Sequence, residues 1–373
     1  MFLIDSTLRD GEQAPGVVFS GKEKMRLAQM LDDTGIDEIE AGIPAVSENE
    51  CSTIRRICAM NLRARVLVWS RAVKNDVEQA ARTEAQAIHI AFPVSDVQLS
   101  VMGKQWNWVE DSLPAIVEHA RKYFSHVSIG AQDAGRTDAD RLHGFVGMLE
   151  RLNIRRVRIA DTVGVLTPAD TMRLVQGVRE RHPAVGIDFH GHNDLGMATA
   201  NAVSAWQAGA STLSVTVNGL GERAGNAALE EVLMILTRLY GQDKYDISSL
   251  YALCRYVADV SGYPIPKGKA VCGSMAFSHE SGIHAKGTLK DKTAYQAFDG
   301  KLIGRESARN LFGKHSGKGA VIDLLQKENL RIEEAKIHLL MDKIRRKAQR
   351  CKCGVAPAEI IAAYRKLGER QKI

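Results

Sequence analysis

The sequence predicts an α/β protein in which a closed (β/α)8 TIM barrel is followed by a smaller, mainly helical C-terminal region. Two observations favour this fold class. Short apolar, β-branched runs alternate with longer amphipathic stretches from the first residues to about residue 240, which is typical of repeated βα units. The chain holds eight such units of roughly 30 residues each, whereas an open doubly wound sheet usually has fewer.

Each predicted strand is followed by a polar or glycine-containing loop and then by an amphipathic stretch. The eight predicted strands are Phe2–Ser6, Ile36–Ala41, Arg65–Ser70, Ala87–Ala91, His126–Ala131, Arg156–Asp161, Gly186–Gly191 and Thr212–Val217. Helices are predicted between them, for example over Lys22–Asp33, Trp108–Phe124 and Pro168–Arg181. Pro168 suits the first turn of its helix, and Thr167 is placed to cap it.

The sequence pattern changes after about residue 262, which divides the chain into three predicted parts. Residues 1–262 are predicted to form the catalytic barrel. Residues 263–320 contain irregular glycine- and proline-containing sequence, and we expect a linker that completes the active site. Residues 321–373 are predicted to form a helical C-terminal subdomain.

Composition and charge exclude several classes of protein. The apolar share of 45% and the charged share of 25% fit a globular protein, and no apolar run approaches the roughly 20 residues that cross a bilayer. The N-terminus lacks the pattern of a signal peptide, so we expect a cytoplasmic protein without a membrane partner. Much of the net charge of +6 lies in Lys343–Lys352 without interleaved aromatic residues, so no nucleic-acid partner is expected.

Polar residues follow almost every predicted strand, at the end of the barrel where active sites of this fold lie. Seven of the strands end in this way, at Arg9-Asp10, Glu40, Ser70-Arg71, Gln132-Asp133, Asp161-Thr162, His190-Gly-His192 and the segment 218–226. Because the carboxyl ends of parallel strands meet at one rim, these side chains are expected to converge. The sequence therefore predicts a single polar site there.

His190 and His192 are the sharpest local signal for a metal site. Residues two apart on a strand point to the same face, so both imidazoles can reach one cation. With a carboxylate from Asp10 and the amide oxygen of Asn226, the set would hold two nitrogens and two oxygens. Such ligands suit Mg²⁺ or Mn²⁺, with Zn²⁺ or Fe²⁺ as the other candidates.

Four motifs in the same order resemble one family of metal-dependent barrels, the 2-isopropylmalate synthase and homocitrate synthase family. They are Asp5-Ser-Thr-Leu-Arg-Asp-Gly-Glu-Gln13, His190-Gly-His-Asn-Asp194, Gly219-Leu-Gly-Glu-Arg-Ala-Gly-Asn226 and Ala276-Phe-Ser-His-Glu-Ser-Gly-Ile-His284. The resemblance extends from residue 2 to about residue 320 and is strongest to the nitrogen-fixation type of homocitrate synthase.

This resemblance implies a condensation of acetyl-CoA with 2-oxoglutarate and water, which yields homocitrate and CoA. The metal would act as a Lewis acid on the keto group, and Arg9 would share the stabilisation of the alkoxide. Gln13 and Thr162 would contact the oxo acid, and Asp133 is assigned to the same substrate-binding set. His279 matches the histidine that removes the acetyl proton in this family, with Tyr295 as its companion. A homodimer is also implied.

The chain departs from the family pattern after the fifth strand, where relatives commonly have Glu-Asp and this chain has Gln132-Asp133. If that glutamate polarises the base, Gln132 cannot do so by charge. This departure therefore concerns the general base and leaves the predicted metal ligands unaffected.

Several other functions stay open or are disfavoured by the sequence. A 2-isopropylmalate or citramalate synthase would use another 2-oxo acid, and leucine-pathway enzymes usually carry a C-terminal regulatory domain larger than the segment after His284. A related lyase would be expected to carry a cysteine in the glycine loop Gly219–Asn226, and there is none. The dinucleotide pattern in that loop has no further βαβ unit after it. Residues 313–319 lack the hydroxyl residue that completes a phosphate-binding loop. Two roles stay open for this segment: contact with the phosphates of CoA, or a flexible connector.

Overall fold

The chain is described here from a computed structural model that covers residues 1–305 and 311–369. Residues 306–310, in the predicted linker, and residues 370–373, at the end of the predicted helical subdomain, lie outside the described residues. The chain divides into two compact units, Met1–Ile265 and Pro266–Ile373. Its three-part division by function stays a prediction.

The first unit is a closed barrel of eight parallel strands in sequence order, because β1 pairs with both β2 and β8. This confirms the predicted fold class. The strands are β1 Phe2–Asp5, β2 Glu38–Glu40, β3 Arg65–Arg71, β4 Ala87–Pro93, β5 His126–Gln132, β6 Arg156–Asp161, β7 Gly186–Gly191 and β8 Thr212–Val215. Their ends differ from the predicted ends by up to two residues, since inter-strand hydrogen bonds rather than composition decide where a strand stops.

Helices cover the outside of the barrel and make up most of the second unit. Those of the first unit are α1 Gly21–Thr34, α2 Glu48–Cys58, α3 Lys74–Ala81, α4 Asp96–Val101, α5 Trp106–Ala120, α6 Ala139–Arg151, α7 Pro168–Arg181, α8 Ala198–Gln207, α9 Leu229–Tyr240 and α10 Leu250–Ser261. Those of the second unit are α11 Gly282–Lys290, α12 Lys318–Lys327, α13 Glu334–Cys351 and α14 Pro357–Glu369. No helix within the described ranges has the length and apolar character needed to span a membrane.

The second unit has its own apolar core. Leu325, Ile337, Leu340 and Ile344 are buried together with Tyr364, whose hydroxyl accepts a hydrogen bond from the Glu333 amide. This core joins α12, α13 and α14, so the predicted C-terminal helices pack on one another rather than lying as separate segments.

The barrel interior is unusually polar. Interiors of this fold are generally filled by layers of branched apolar side chains. Here the apolar interior cluster is small, with Ile4, Leu67 and Ala87 packed beside Phe2. The layer above it carries buried charged residues instead. Each of Glu40, Arg158 and Asp188 is at most 3% exposed. Burying charges is costly, so this layer points to a functional use of the barrel's centre.

The start of α7 confirms the cap predicted from sequence. The Thr167 hydroxyl accepts a hydrogen bond from the Asp170 amide at 3.2 Å, and the Asp170 carboxylate accepts one from the Thr167 amide at 3.3 Å. These reciprocal bonds form a capping box that satisfies two helix-terminal donors, and Pro168 occupies the first turn.

We expect Thr167→Ala to lower the free energy of unfolding by about 1 kcal/mol, because it removes the cap while leaving Pro168 in place. Urea denaturation followed by circular dichroism would measure the change. Thr167→Ser is the matched control, since it keeps the hydroxyl. Equal losses for both variants would mean that the threonine methyl group, rather than the cap, stabilises this helix end.

Candidate metal centre and active-site cavity

Asp10, His190 and His192 bring three possible metal-ligand atoms together at the carboxyl end of the barrel. These atoms lie within 4.8 Å of one another, and all three residues are buried. The Asp10 carboxylate is 3.2 Å from His190 Nε2 and 3.8 Å from His192 Nε2. The two imidazole Nε2 atoms are 3.3 Å apart. The convergence predicted from strand order is therefore present in the structure.

The glycine loop after β8 holds Asn226 against this cluster. The backbones of Asn226 and His192 pair through a single antiparallel β-bridge. The Asn226 side-chain amide donates hydrogen bonds to Asp10 Oδ1 at 3.2 Å and to the Leu220 carbonyl oxygen at 3.1 Å. The loop needs glycine at position 225, which has a φ of +87° and would place a Cβ 1.9 Å from the Gly219 carbonyl oxygen. The backbone thus fixes Asn226 beside Asp10.

The donor set fits a divalent cation. Asn226 Oδ1 is buried and has no hydrogen-bond partner in the part of the chain that the structure describes, so it is available as an oxygen ligand. Burial raises the pKa of the Asp10 carboxyl, but the charges of Arg9 and His190 outweigh it and hold that pKa well below its usual range. Burial and the neighbouring His190 lower the pKa of His192 to about 4. Both residues are therefore deprotonated at neutral pH, as metal ligands must be.

Arg9 links the cluster to the interior of the barrel. Its guanidinium donates to Asp10 at 2.9 Å, to Glu40 at 2.7 Å and to Gln13 at 3.2 Å. These three bonds fix the side chain in one position beside the metal ligands. A permanent positive charge is thus held where a developing oxyanion would need it.

A cavity of about 160 Å³ opens at this point, and six of the predicted site residues line it: Arg9, Asp10, Gln13, Thr162, His190 and His192. Gln132 lines it as well, so the departure from the family pattern lies in the site itself. At its deeper part Gly130 leaves room for His89, because a Cβ there would come within 2.6 Å of His89 Nε2.

Asp133 is placed differently from the other predicted residues. Its φ of +64° turns the side chain into a pocket where Ser95 and Arg136 bind both carboxylate oxygens, and the residue is fully buried. Its backbone amide donates to the Thr162 hydroxyl at 2.8 Å. The contact with substrate assigned to Asp133 stays a prediction, and the structure gives it a positioning contact with Thr162.

Sequence reasoning missed the buried charges below the cavity. Arg158 donates to Asp188 at 2.6 Å and to Glu40 at 2.8 Å, and it lines the cavity together with His89. Burial and the charge of Arg158 lower the pKa of His89 well below its usual range, so the ring is neutral. The available signal was the alternation Arg156-Val-Arg158 inside a predicted strand, because the inward positions of a barrel strand are usually apolar.

His279 and Tyr295 lie in the second unit. His279 Nε2 is buried and has no hydrogen-bond partner among the described residues. Burial together with the charge of His284 lowers the pKa of His279. His284 lies between the two predicted residues, with ring centroids 6.0 Å from His279 and 4.2 Å, stacked, from Tyr295. Tyr295 is therefore stacked on His284, and His284 is the residue that lies next to His279.

The closed barrel and its carboxylate–histidine cluster define a class, the (β/α)8 barrels with a set of candidate metal ligands at the carboxyl ends of their strands. Comparison with known families gives two matches, to the HMGL-like family over residues 1–257 and to the homocitrate synthase post-HMGL domain-like family over residues 271–352. The chain belongs to the family of 2-isopropylmalate synthases and homocitrate synthases, as its motifs predict.

Two curated relatives cover nearly the whole chain. A 2-isopropylmalate synthase 2 of Caldanaerobacter subterraneus is 41% identical over 98% of this chain and 95% of its own length. Homocitrate synthase 1 of Nostoc sp. is 39% identical over 96% of this chain and 95% of its own length. Among solved structures, HMG-CoA lyase of Bacillus subtilis aligns with a TM-score of 0.64 at 20% identity, over 71% of this chain and 95% of its own, which supports the fold.

We expect His192→Ala to lower metal-dependent turnover at least about 100-fold, because one of the ligands is lost while the fold is kept. Metal content after dialysis and circular dichroism would be measured alongside turnover. His143→Ala, on the outer helix α6, is the matched control. A His192→Ala protein that keeps its metal and its turnover would remove this residue from the ligand set.

Proposed function

We propose that the protein condenses acetyl-CoA with 2-oxoglutarate and water to give homocitrate and CoA. The observation that carries the proposal is the cluster of Asp10, His190 and His192 beside Arg9 at the cavity. A 2-oxo acid presents a keto oxygen and a carboxylate oxygen side by side, which is a bidentate ligand for a cation. The relatives named as homocitrate synthases support the choice of oxo acid.

A divalent cation held by Asp10, His190, His192 and Asn226 would supply Lewis-acid polarisation of the keto group. Arg9 stabilises negative charge that develops on the keto oxygen, since its guanidinium is already fixed by three bonds. The Thr162 hydroxyl oxygen accepts a hydrogen bond from the Asp133 amide, so its own hydrogen is available to donate to the oxo acid. Gln13, held by Arg9, contacts the same substrate.

His279 is proposed as the general base. Its lowered pKa keeps the ring neutral at physiological pH, and no residue that the structure describes forms a hydrogen bond with Nε2 that would compete for a proton. The base takes a proton from the acetyl methyl group, the resulting carbanion forms a carbon–carbon bond to the keto carbon, and the keto oxygen is protonated. Water then cleaves the thioester and releases the CoA thiol. Tyr295 orients the neighbouring His284 through ring stacking.

Gln132 bears on how this base works. It lines the cavity with a neutral amide, which can donate and accept hydrogen bonds but cannot stabilise a protonated imidazole by charge. The basicity of His279 then depends on its own surroundings in the second unit. Mg²⁺ or Mn²⁺ is proposed from the mixed nitrogen and oxygen ligands, and a cytoplasmic location from the sequence pattern. A homodimer and a role in nitrogen fixation complete the proposal, and they rest on the family resemblance.

The alternative function is 2-isopropylmalate or citramalate synthesis, with the same chemistry on another 2-oxo acid. The relative from Caldanaerobacter, at 41% identity, favours it as a second candidate. The two proposals share the metal set, Arg9 and the base, so only the oxo acid separates them.

We expect free CoA thiol to be released from acetyl-CoA when 2-oxoglutarate is added, and the release to stop when a chelator removes the cation. A thiol reagent would follow the reaction with 2-oxoglutarate, 2-oxoisovalerate and pyruvate in parallel. Turnover of 2-oxoisovalerate or pyruvate with inert 2-oxoglutarate would transfer the assignment to the alternative.

We expect His279→Ala to lower turnover by about 10²–10⁴-fold without loss of bound metal, because general bases contribute on that scale. His338→Ala, an exposed histidine of the same unit that contacts Lys318, is the matched control. Turnover and metal content would be measured for both. Unchanged turnover of His279→Ala would show that another group removes the proton.

A further inference from the structure

Arg158 occupies the floor of the cavity, and we infer that its free Nη2 binds the second carboxylate of a dicarboxylic 2-oxo acid. This makes Arg158 the residue that selects a dicarboxylic over a monocarboxylic substrate. The inference rests on the proposed function, because it assumes that a 2-oxo acid binds at the cluster of Asp10, His190 and His192.

Two carboxylates hold the Arg158 guanidinium rigidly. Nε donates to Asp188 at 2.6 Å, and Nη1 donates to Glu40 at 2.8 Å. Asp188 is fixed in turn by the Ser214 hydroxyl at 2.9 Å, and Glu40 by Arg9 at 2.7 Å. With two of its three nitrogens bound, the guanidinium plane cannot rotate, and Nη2 points in one fixed direction.

Nη2 itself is buried and makes no hydrogen bond with any protein atom of the described ranges. The side chain is only 3% exposed, and the residue lines the cavity. A buried guanidinium N–H group without an acceptor is costly, and such groups nearly always have a partner. The missing partner is therefore an acceptor that residues 1–305 and 311–369 do not supply. Arg is the side chain best suited to bind a carboxylate in that place.

The depth of Arg158 matches the length of such a substrate. On β7, Asp188 lies two residues before His190, and in the sheet Asp188 pairs with Arg158 while His190 pairs with Ala160. Arg158 therefore lies one strand repeat, roughly 6–7 Å, deeper than the metal ligands. An oxo acid that is anchored at the cluster through its keto end can extend two methylene groups toward the floor before its second carboxylate meets Nη2.

A monocarboxylic oxo acid of equal length would bring a methyl group against the same N–H group. The buried N–H group would then still have no acceptor, and sites built to bind a polar substrate group reject analogues that lack it. Arg158 thus disfavours the wrong substrate as well as binding the right one.

The test compares kcat/KM for 2-oxoglutarate, oxaloacetate and 2-oxopentanoate, the last being 2-oxoglutarate with a methyl group in place of the second carboxylate. The variant is Arg158→Lys, which keeps a positive charge between Glu40 and Asp188 but loses the fixed Nη2. Arg156→Lys is the matched control, because Arg156 lies on the same strand and pairs with Glu38 away from the cavity. Calorimetry of 2-oxoglutarate binding and circular dichroism complete the comparison.

We expect Arg158→Lys to lower kcat/KM for 2-oxoglutarate by about 10–100-fold, to weaken its binding similarly, and to change kcat/KM for 2-oxopentanoate less than about threefold. Arg156→Lys should leave both substrates unchanged. Equal losses for both substrates in a folded Arg158→Lys protein, or no loss for either, would overturn the inference and leave Arg158 as a structural residue.

The same measurements distinguish failure of the proposed function from failure of the inference about Arg158. If the unaltered protein uses oxaloacetate but not 2-oxoglutarate, the proposed function fails. The inference is then decided by whether Arg158→Lys lowers the ratio of kcat/KM for oxaloacetate to kcat/KM for 2-oxopentanoate. If the unaltered protein prefers 2-oxopentanoate to both dicarboxylic acids, the inference is overturned directly. If Arg158→Lys does not fold, the double variant Arg158→Gln/Asp188→Asn replaces both members of one ion pair. Its kcat/KM values are then measured for the same three substrates.

Discussion

A continuous chain of buried ion pairs runs through the centre of the barrel, and the site depends on it. It leads from Asp10 through Arg9 and Glu40 to Arg158 and Asp188. Each inner member contacts two partners, so the loss of one leaves a buried charge uncompensated, at a cost of about 3–5 kcal/mol. The position of the proposed cation ligands and the depth of the cavity are therefore set by the same interactions. The outer layer of helices and strands has to supply the stability that this interior does not.

Much of the fold could be predicted from the sequence, because hydrophobic periodicity and strand order reflect local physics. Neighbouring strands in sequence are neighbours in the barrel, so His190 and His192 could be expected opposite Asp10. The structure confirms the eight strands and the Thr167 cap. The predicted ends of the strands were less accurate, because the point where a strand ends depends on its hydrogen bonds to the neighbouring strand.

The parts that could not be predicted depend on contacts between distant residues. Arg158 and Glu40 are separated by 118 positions, and nothing local to either indicates that they form a pair. Asp133 was assigned to the substrate from its place at a strand end. In the structure its carboxylate contacts Arg136 and its backbone is left-handed, a conformation for which an aspartate gives only a weak signal in the sequence. Burial of charge and backbone direction are both properties of the assembled barrel.

The His89 ring can occupy its position because position 130 has no side chain. A methyl group there would lie 2.6 Å from the imidazole, so even the smallest addition has to displace the ring, which lines the cavity. Glycine and alanine codons differ by a single base. The shape of this cavity is consequently one mutational step from a change, and a lineage could alter it without replacing any residue proposed to perform the chemistry.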